Sequence, residues 1–330
     1  MAERRAFSPG RSEAVMPSIT LALALSAVPL CSALAQSPAF PSSEELLVPV
    51  SSTESLRVTI AGDGPAVVLI PGLFGSAFGY RHLLNLLPAA GYRAVVIEPL
   101  GIGGSPRPKH ADYSLTAQAD RLAAALERLN EPAALVVAHS AGVSIALRLA
   151  YRHPERVAAI VALDGGPAEG AATPGFRRAM RYAPWIKWLG GVKRIRPKMR
   201  KDLIAASGDT SWVTDAVMDG YVAGAAADLD GTLLAFLAMA EAREPEGLGP
   251  RLAEIRCPVR LVLGTAPHQG GVEQEGVRLM RERLLNFDID SVPGAGQYLF
   301  EEQPEAVAGI IARVMNQSLT VTSALAPGSR

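Results

Sequence analysis

The sequence predicts an α/β fold in which a mostly parallel sheet is flanked by helices. Short aliphatic runs, typical of strands buried on both faces, alternate with longer segments of helical periodicity. The chain has 330 residues, 49% of them hydrophobic, so it can bury a large core. Its 32 basic and 32 acidic residues balance, which gives no reason to expect nucleic acid as a partner. Its two cysteines exclude a disulfide-built scaffold.

The predicted strands share β-branched and aliphatic side chains, and they cover residues 55–61, 67–70, 94–97, 135–138, 157–163, 259–263 and 287–292. The predicted helices repeat apolar residues at intervals of three and four, and they cover residues 115–129, 141–152, 276–285 and 304–315. Because strands and helices alternate, successive strands should pair in parallel with helices on both faces.

The alternation stops between residues 167 and 255, where the pattern is helix-like and shows no clear strand. We interpret this stretch as a helical cap inserted before the penultimate strand. The α/β core then comprises residues 55–166 and 256–316. A polar leader should occupy residues 36–54, and a flexible tail residues 317–330.

The N-terminal 35 residues have the pattern of a signal peptide. An uncharged run begins at Ile19, contains Pro29 and ends in Ala33-Leu34-Ala35, the small-residue pattern of a cleavage site. We therefore expect residues 1–35 to be removed and the protein to be exported, either to the periplasm or out of the cell. The alternatives are a retained membrane anchor and a true start at Met16.

Residues 138–142 read Ala-His-Ser-Ala-Gly and lie between a predicted strand and a predicted helix. This arrangement is typical of a nucleophile elbow, in which small flanking residues allow a tight turn that exposes the Ser140 hydroxyl. The alternative is an ordinary serine cap at the start of a helix.

Two further loops carry a family resemblance. Residues 70–75 read Ile-Pro-Gly-Leu-Phe-Gly, and residues 98–105 read Glu-Pro-Leu-Gly-Ile-Gly-Gly-Ser. With the elbow, these loops resemble those of the α/β-hydrolase superfamily, in particular its capped serine esterases and lipases. The resemblance implies Ser140 as nucleophile, an oxyanion hole formed by the backbone N–H groups of Leu73 and Ala141, and no metal or cofactor. It also implies a small, apolar, ester-like substrate.

The remaining triad positions depart from the family pattern. Gln297 occupies the position of the catalytic histidine, and a carboxamide cannot accept a proton near neutral pH. No carboxylate follows the strand at 259–263, where the family usually has its acid. In some members the acid follows the preceding strand, which points to Asp164. The alternative for Asp164 is a turn residue before Gly165-Gly166.

His268 is the one histidine expected at the carboxyl edge of the sheet near this site. It is a candidate for a relocated base or a substrate contact. The alternative is a loop histidine with no special role.

The segment 177–201 contains ten Lys or Arg residues, two Trp residues and no acidic residue. It favours either a weak contact of the cap with an anionic membrane surface or a solvated helix face.

Three functions therefore compete. The first is an exported serine hydrolase. The second is a catalytically impaired relative that binds a ligand or partner, and the third is a cofactor-free lyase or isomerase that uses the oxyanion hole alone.

Overall fold

The computed structural model describes residues 43–171, 175, 177–178 and 192–325. The predicted signal peptide, the alternative start at Met16, and the part of the basic segment that holds Trp185 and Trp188 lie outside the described residues.

An eight-stranded sheet forms the centre of the described chain, in the order β1-β2-β4-β3-β5-β6-β7-β8. β1 and β2 pair antiparallel, β2 pairs antiparallel with β4, and all other neighbours are parallel. The strands are β1 Ser43–Pro49, β2 Ser55–Ala61, β3 Ala66–Ile70, β4 Arg93–Glu98, β5 Ala134–His139, β6 Val157–Leu163, β7 Val259–Gly264 and β8 Phe287–Val292. The predicted α/β fold with a mostly parallel sheet is confirmed.

Ten α-helices occur in the described residues. They are α1 Leu83–Ala89, α2 Leu115–Arg128, α3 Ala141–Arg152, α4 Val192–Ala205, α5 Asp215–Ala227, α6 Leu229–Glu241, α7 Leu248–Arg251, α8 Gln274–Arg283, α9 Leu299–Glu302 and α10 Pro304–Leu325. Helices α4 to α7 lie between β6 and β7, within the stretch interpreted as a cap. None of the helices in the described part of the chain is by itself long and apolar enough to cross a membrane.

Two apolar layers cover the sheet. Helices α2 and α3 pack on one face, against strand residues such as Val68 and Val95, which are fully buried. Helices α1 and α10 pack on the other face, against Val67 and Val96. Because neighbouring strand residues point to opposite faces, a strand covered on both sides must be apolar throughout, as the central runs are.

The prediction of a polar leader over residues 36–54 is wrong for the part that forms β1. Residues 43–49 pair with β2 in a hairpin, closed at its turn by a 2.9 Å hydrogen bond from Val50 N to Glu54 O. Val48 is buried, whereas Glu44 and Glu45 are exposed at the edge of the sheet. The polar residues that concealed this strand are those an edge strand tolerates, because one side of it faces water.

The expected flexible tail from residue 317 is also corrected, since α10 continues to Leu325. No glycine or proline occurs between Ile310 and Leu325, so nothing in the backbone chemistry ends the helix at 316.

A buried polar network ties the end of the α4–α7 region to the core. The Arg148 side chain on α3 is fully buried, and its Nε lies 3.3 Å from Glu244 Oε2. Glu244 also accepts hydrogen bonds from the backbone N–H groups of Leu115 (2.7 Å) and Thr116 (3.0 Å), the first residues of α2. A carboxylate at this position satisfies N–H groups that have no partner within the helix.

Candidate active site

Ser140 stands at the sharp turn between β5 and α3, with φ 51° and ψ −121°. Few residues other than glycine adopt a positive φ, so this backbone is strained. The turn fits because its neighbours are small. A Cβ atom on Gly142 would lie 2.8 Å from Ile70 O, and one on Gly165 would lie 2.4 Å from Ser140 O. This is the geometry predicted for a nucleophile elbow.

The strain predicts an unusual order of stabilities. We expect Ser140→Gly to be more stable than Ser140→Ala by about 1 kcal/mol, because glycine relieves a strain of about 1–3 kcal/mol and loses about 0.4–1 kcal/mol to chain entropy. At Ser144, inside helix α3, the order should reverse, since glycine is worse than alanine there by about 0.5–1 kcal/mol. Urea unfolding at pH 7 measures all four variants. Equal or reversed stabilities at position 140 would show that the turn is unstrained.

Two backbone donors adjoin the serine. In the described part of the chain, neither the N–H of Leu73 nor that of Ala141 forms a backbone hydrogen bond outside the regular elements. Gly72 brings the loop that carries Leu73 close to the elbow, since a Cβ atom on Gly72 would lie 3.2 Å from Ser140 Cβ. Leu73 and Ala141 also line one small cavity of about 10 Å³, room for roughly one water molecule. The two predicted oxyanion donors are therefore neighbours.

Asp164 and His268 form a pair beside the elbow. Asp164 directly follows β6 and has a φ of 42°, and its Oδ2 lies 2.9 Å from His268 Nε2. The Asp164 side chain is 3% exposed, and burial raises its pKa while the neighbouring His268 opposes the rise. Oδ1 accepts a further hydrogen bond from Val272 N at 3.3 Å.

The second nitrogen of His268 is also occupied. Nδ1 lies 2.8 Å from the carbonyl oxygen of Ala266, which can only accept a hydrogen bond. If Asp164 is ionised, His268 must donate from both nitrogens; if Asp164 is protonated, its hydroxyl donates to Nε2. In both cases the imidazole has no lone pair left for the proton of Ser140. Among the described residues the Ser140 hydroxyl forms no hydrogen bond.

Gln297 lies on the loop after β8, and its side chain approaches Gly270, the residue next to the glycine that Asp164 approaches. A Cβ atom on Gly270 would lie 2.6 Å from Gln297 Oε1, and one on Gly271 would lie 2.6 Å from Asp164 Oδ2. The structure thus brings the side chains of Gln297 and Asp164 to adjacent residues of one loop. The Gln297 carboxamide forms no hydrogen bond with any described residue.

His139 holds the Gln297 loop in place, which the sequence analysis missed. Its ring is buried against Tyr298 and Phe300, with centroid distances of 5.1 and 4.9 Å. Nε2 lies 3.2 Å from the carbonyl oxygen of Gln297, and burial lowers the pKa of His139 to about 4. The imidazole is therefore neutral near pH 7 and donates from Nε2, and with a pKa of about 4 it is a weak base.

Comparison with known proteins places these features in a family. A sequence model described as the α/β hydrolase fold matches residues 65–248, more than half of the chain. The chain belongs to the α/β-hydrolase family. The matched region includes the Leu73 loop, the Ser140 elbow and Asp164, whereas His268 and Gln297 lie beyond it.

Two curated relatives have the same level of identity. The chain is similar to a haloalkane dehalogenase of Mycolicibacterium paratuberculosis, at 30% identity over 165 residues, which is 47% of this chain and 55% of the relative. It is also similar to epoxide hydrolase B of Mycobacterium tuberculosis, at 30% over 174 residues, 52% of this chain and 45% of the relative. The aligned part thus spans about half the length of these curated relatives.

Among solved structures, a thermophilic esterase from Thermogutta terrifontis superposes with a TM-score of 0.67. It has 18% sequence identity and covers 83% of this chain and 99% of its own. At that identity the superposition supports the fold alone. This α/β-hydrolase therefore shares its architecture with enzymes of different chemistry, and its reaction has to be argued from its own residues.

Proposed function

We propose that this α/β-hydrolase cleaves esters or related acyl substrates through Ser140, with a low basal rate because Gln297 replaces the proton acceptor. One observation carries the proposal. A serine is held in a strained backbone beside the N–H groups of Leu73 and Ala141, and among the described residues neither its hydroxyl nor these two groups have a hydrogen-bond partner. Strain of this kind persists where the surrounding structure maintains it for a function.

The proposed reaction begins with attack of Ser140 Oγ on the acyl carbon. The carbonyl π electrons move to oxygen, and the resulting oxyanion receives hydrogen bonds from the Leu73 and Ala141 N–H groups. Collapse of this intermediate restores the carbonyl and expels the alcohol, which takes up the serine proton. Water then attacks the acyl-enzyme and releases the acid. Without an imidazole at position 297, both proton transfers pass through solvent, which makes each step slow.

The dehalogenase and epoxide hydrolase reactions of the two relatives do not match the nucleophile of this chain. Within the α/β-hydrolase family, dehalogenases and epoxide hydrolases use an aspartate nucleophile at the elbow, whereas this chain has Ser140 there. An acyl substrate suits a serine because the tetrahedral intermediate places its charge where the backbone donors lie.

A second function, binding of a small apolar ligand or a partner without turnover, is favoured by one observation. Both nitrogens of His268 are engaged, one by Asp164 and the other by Ala266. Since Gln297 replaces the usual histidine, neither residue 268 nor residue 297 supplies a base. A binding protein needs the pocket but not the proton acceptor.

Export and membrane contact remain proposals. In the described part of the basic segment, Arg196 pairs with Asp215 and Asp219, and Lys198 pairs with Asp202. These exposed pairs reduce the local positive charge, so we propose at most a weak contact with an anionic surface.

The two functions are separated by hydrolysis of p-nitrophenyl acetate. We expect slow turnover in the wild type that Ser140→Ala abolishes and that His268→Ala changes by less than about threefold. If Ser140→Ala has no effect, the ligand-binding function is favoured. If His268→Ala abolishes hydrolysis, His268 is the base and reorients before reaction.

A further inference from the structure

Glu302 at the end of α9 gathers three backbone N–H groups from two separate parts of the chain. Its Oε2 accepts from Gly208 N and Asp209 N, each at 2.8 Å. Both of its oxygens lie 3.0 Å from Gly296 N, one residue before Gln297. A carboxylate suits this arrangement because an ionised carboxylate only accepts hydrogen bonds and all three groups are donors.

The segment 205–209, which begins at the last residue of α4, also touches both loops of the site directly. Gln269 N donates to Ala205 O at 2.8 Å, and Gln297 N donates to Ala206 O at 2.8 Å. Gly208 packs so closely that a Cβ atom there would lie 2.2 Å from Gly294 O. The segment therefore joins the loop that carries His268 to the loop that carries Gln297, and Glu302 holds it there.

We propose that Glu302 is a positioning residue that fastens segment 205–209 to the Gln297 loop. By doing so it fixes the direction of side chain 297 towards Ser140 and keeps this part of the α4–α7 region closed over the site. Glu302 itself touches no reacting atom, and it acts through Gly296 and through the segment. The kinetic part of this inference rests on the proposed function, whereas the coupling of the two segments does not.

Hydrogen exchange of the full-length protein tests the coupling. In Glu302→Gln, amides of residues 205–209 and 294–297 should exchange at least about tenfold faster together, because one carboxamide oxygen cannot serve three donors and its NH₂ group repels them. Glu305→Gln is the matched control: it removes the same charge from an exposed residue on α10 and should leave both segments unchanged. Faster exchange of only one segment, or of neither, would overturn the proposal.

Kinetics in the Gln297→His background test the positioning role. Adding Glu302→Gln should lower kcat at least about tenfold with KM changed less than about threefold, since the introduced imidazole loses its orientation while the pocket remains. Glu302→Asp keeps the charge on a shorter stem and should lie between the two. A rise in KM at constant kcat would contradict positioning. If Gln297→His has no Ser140-dependent activity, the proposed function fails, and the exchange result alone still decides the coupling.

Discussion

Gln297→His is expected to raise Ser140-dependent hydrolysis of p-nitrophenyl acetate by at least about 100-fold, the lower end of what a general base contributes. The introduced imidazole would stand on a loop that His139 and Glu302 already fix, with Asp164 held against the adjacent glycine. It would accept the serine proton during attack and return it to the leaving group. Steady-state rates with and without Ser140→Ala measure the effect.

The pairing of Asp164 with His268 sharpens this prediction. In the single variant the introduced imidazole must compete with His268 for Oδ2 of Asp164. Removing that competitor in Gln297→His/His268→Asn should therefore raise the rate by a further several-fold, because Asp164 can then orient the new base. His268→Asn alone serves as the control and should change little. If Gln297→His leaves the rate unchanged in both backgrounds, position 297 does not face the serine.

Arg148→Ala is expected to lower the free energy of unfolding by about 3–5 kcal/mol. The substitution leaves the carboxylate of Glu244 buried without its ion-pair partner, since the two side chains are 0% and 6% exposed. Thr116 Oγ1 and Ala168 O also lose their hydrogen bonds to the guanidinium. Denaturant unfolding at pH 7 measures the loss.

Arg152→Ala is the matched control on the same helix, one turn further along. Arg152 pairs with Asp120 at 2.8 Å, but these side chains are 31% and 41% exposed. Water screens such a pair, so its loss should cost at most about 1 kcal/mol. Similar losses from the two substitutions would mean that the Arg148 network contributes no more than a surface pair.

The sequence was sufficient for the central strands because strands covered by helices on both sides must be continuously apolar. It was insufficient for β1, whose polar edge residues resemble a leader, and for the last turns of α10, which extend beyond the predicted end at residue 315. Regular elements are thus predictable where burial dictates composition, and unpredictable where one side of the element faces water.

The candidate site divides in the same way. Asp164 and His268 follow neighbouring parallel strands, so their placement at one edge of the sheet follows from topology. The direction of the His268 ring does not, because it depends on the carbonyl of Ala266. His139 and Glu302 hold the site through hydrogen bonds to backbone groups that are distant in sequence. Every residue type has such backbone groups, so the sequence does not predict these contacts.

The central claim is that Ser140 is a nucleophile in a working oxyanion hole, and covalent labelling with a fluorophosphonate tests it most directly. The probe should modify the full-length protein at Ser140, located by peptide mass spectrometry, slowly in the wild type and much faster in Gln297→His. Ser140→Ala should remain unlabelled. Absence of labelling at Ser140 in both the wild type and Gln297→His, with the fold intact, would contradict the claim and leave ligand binding as the function of the site.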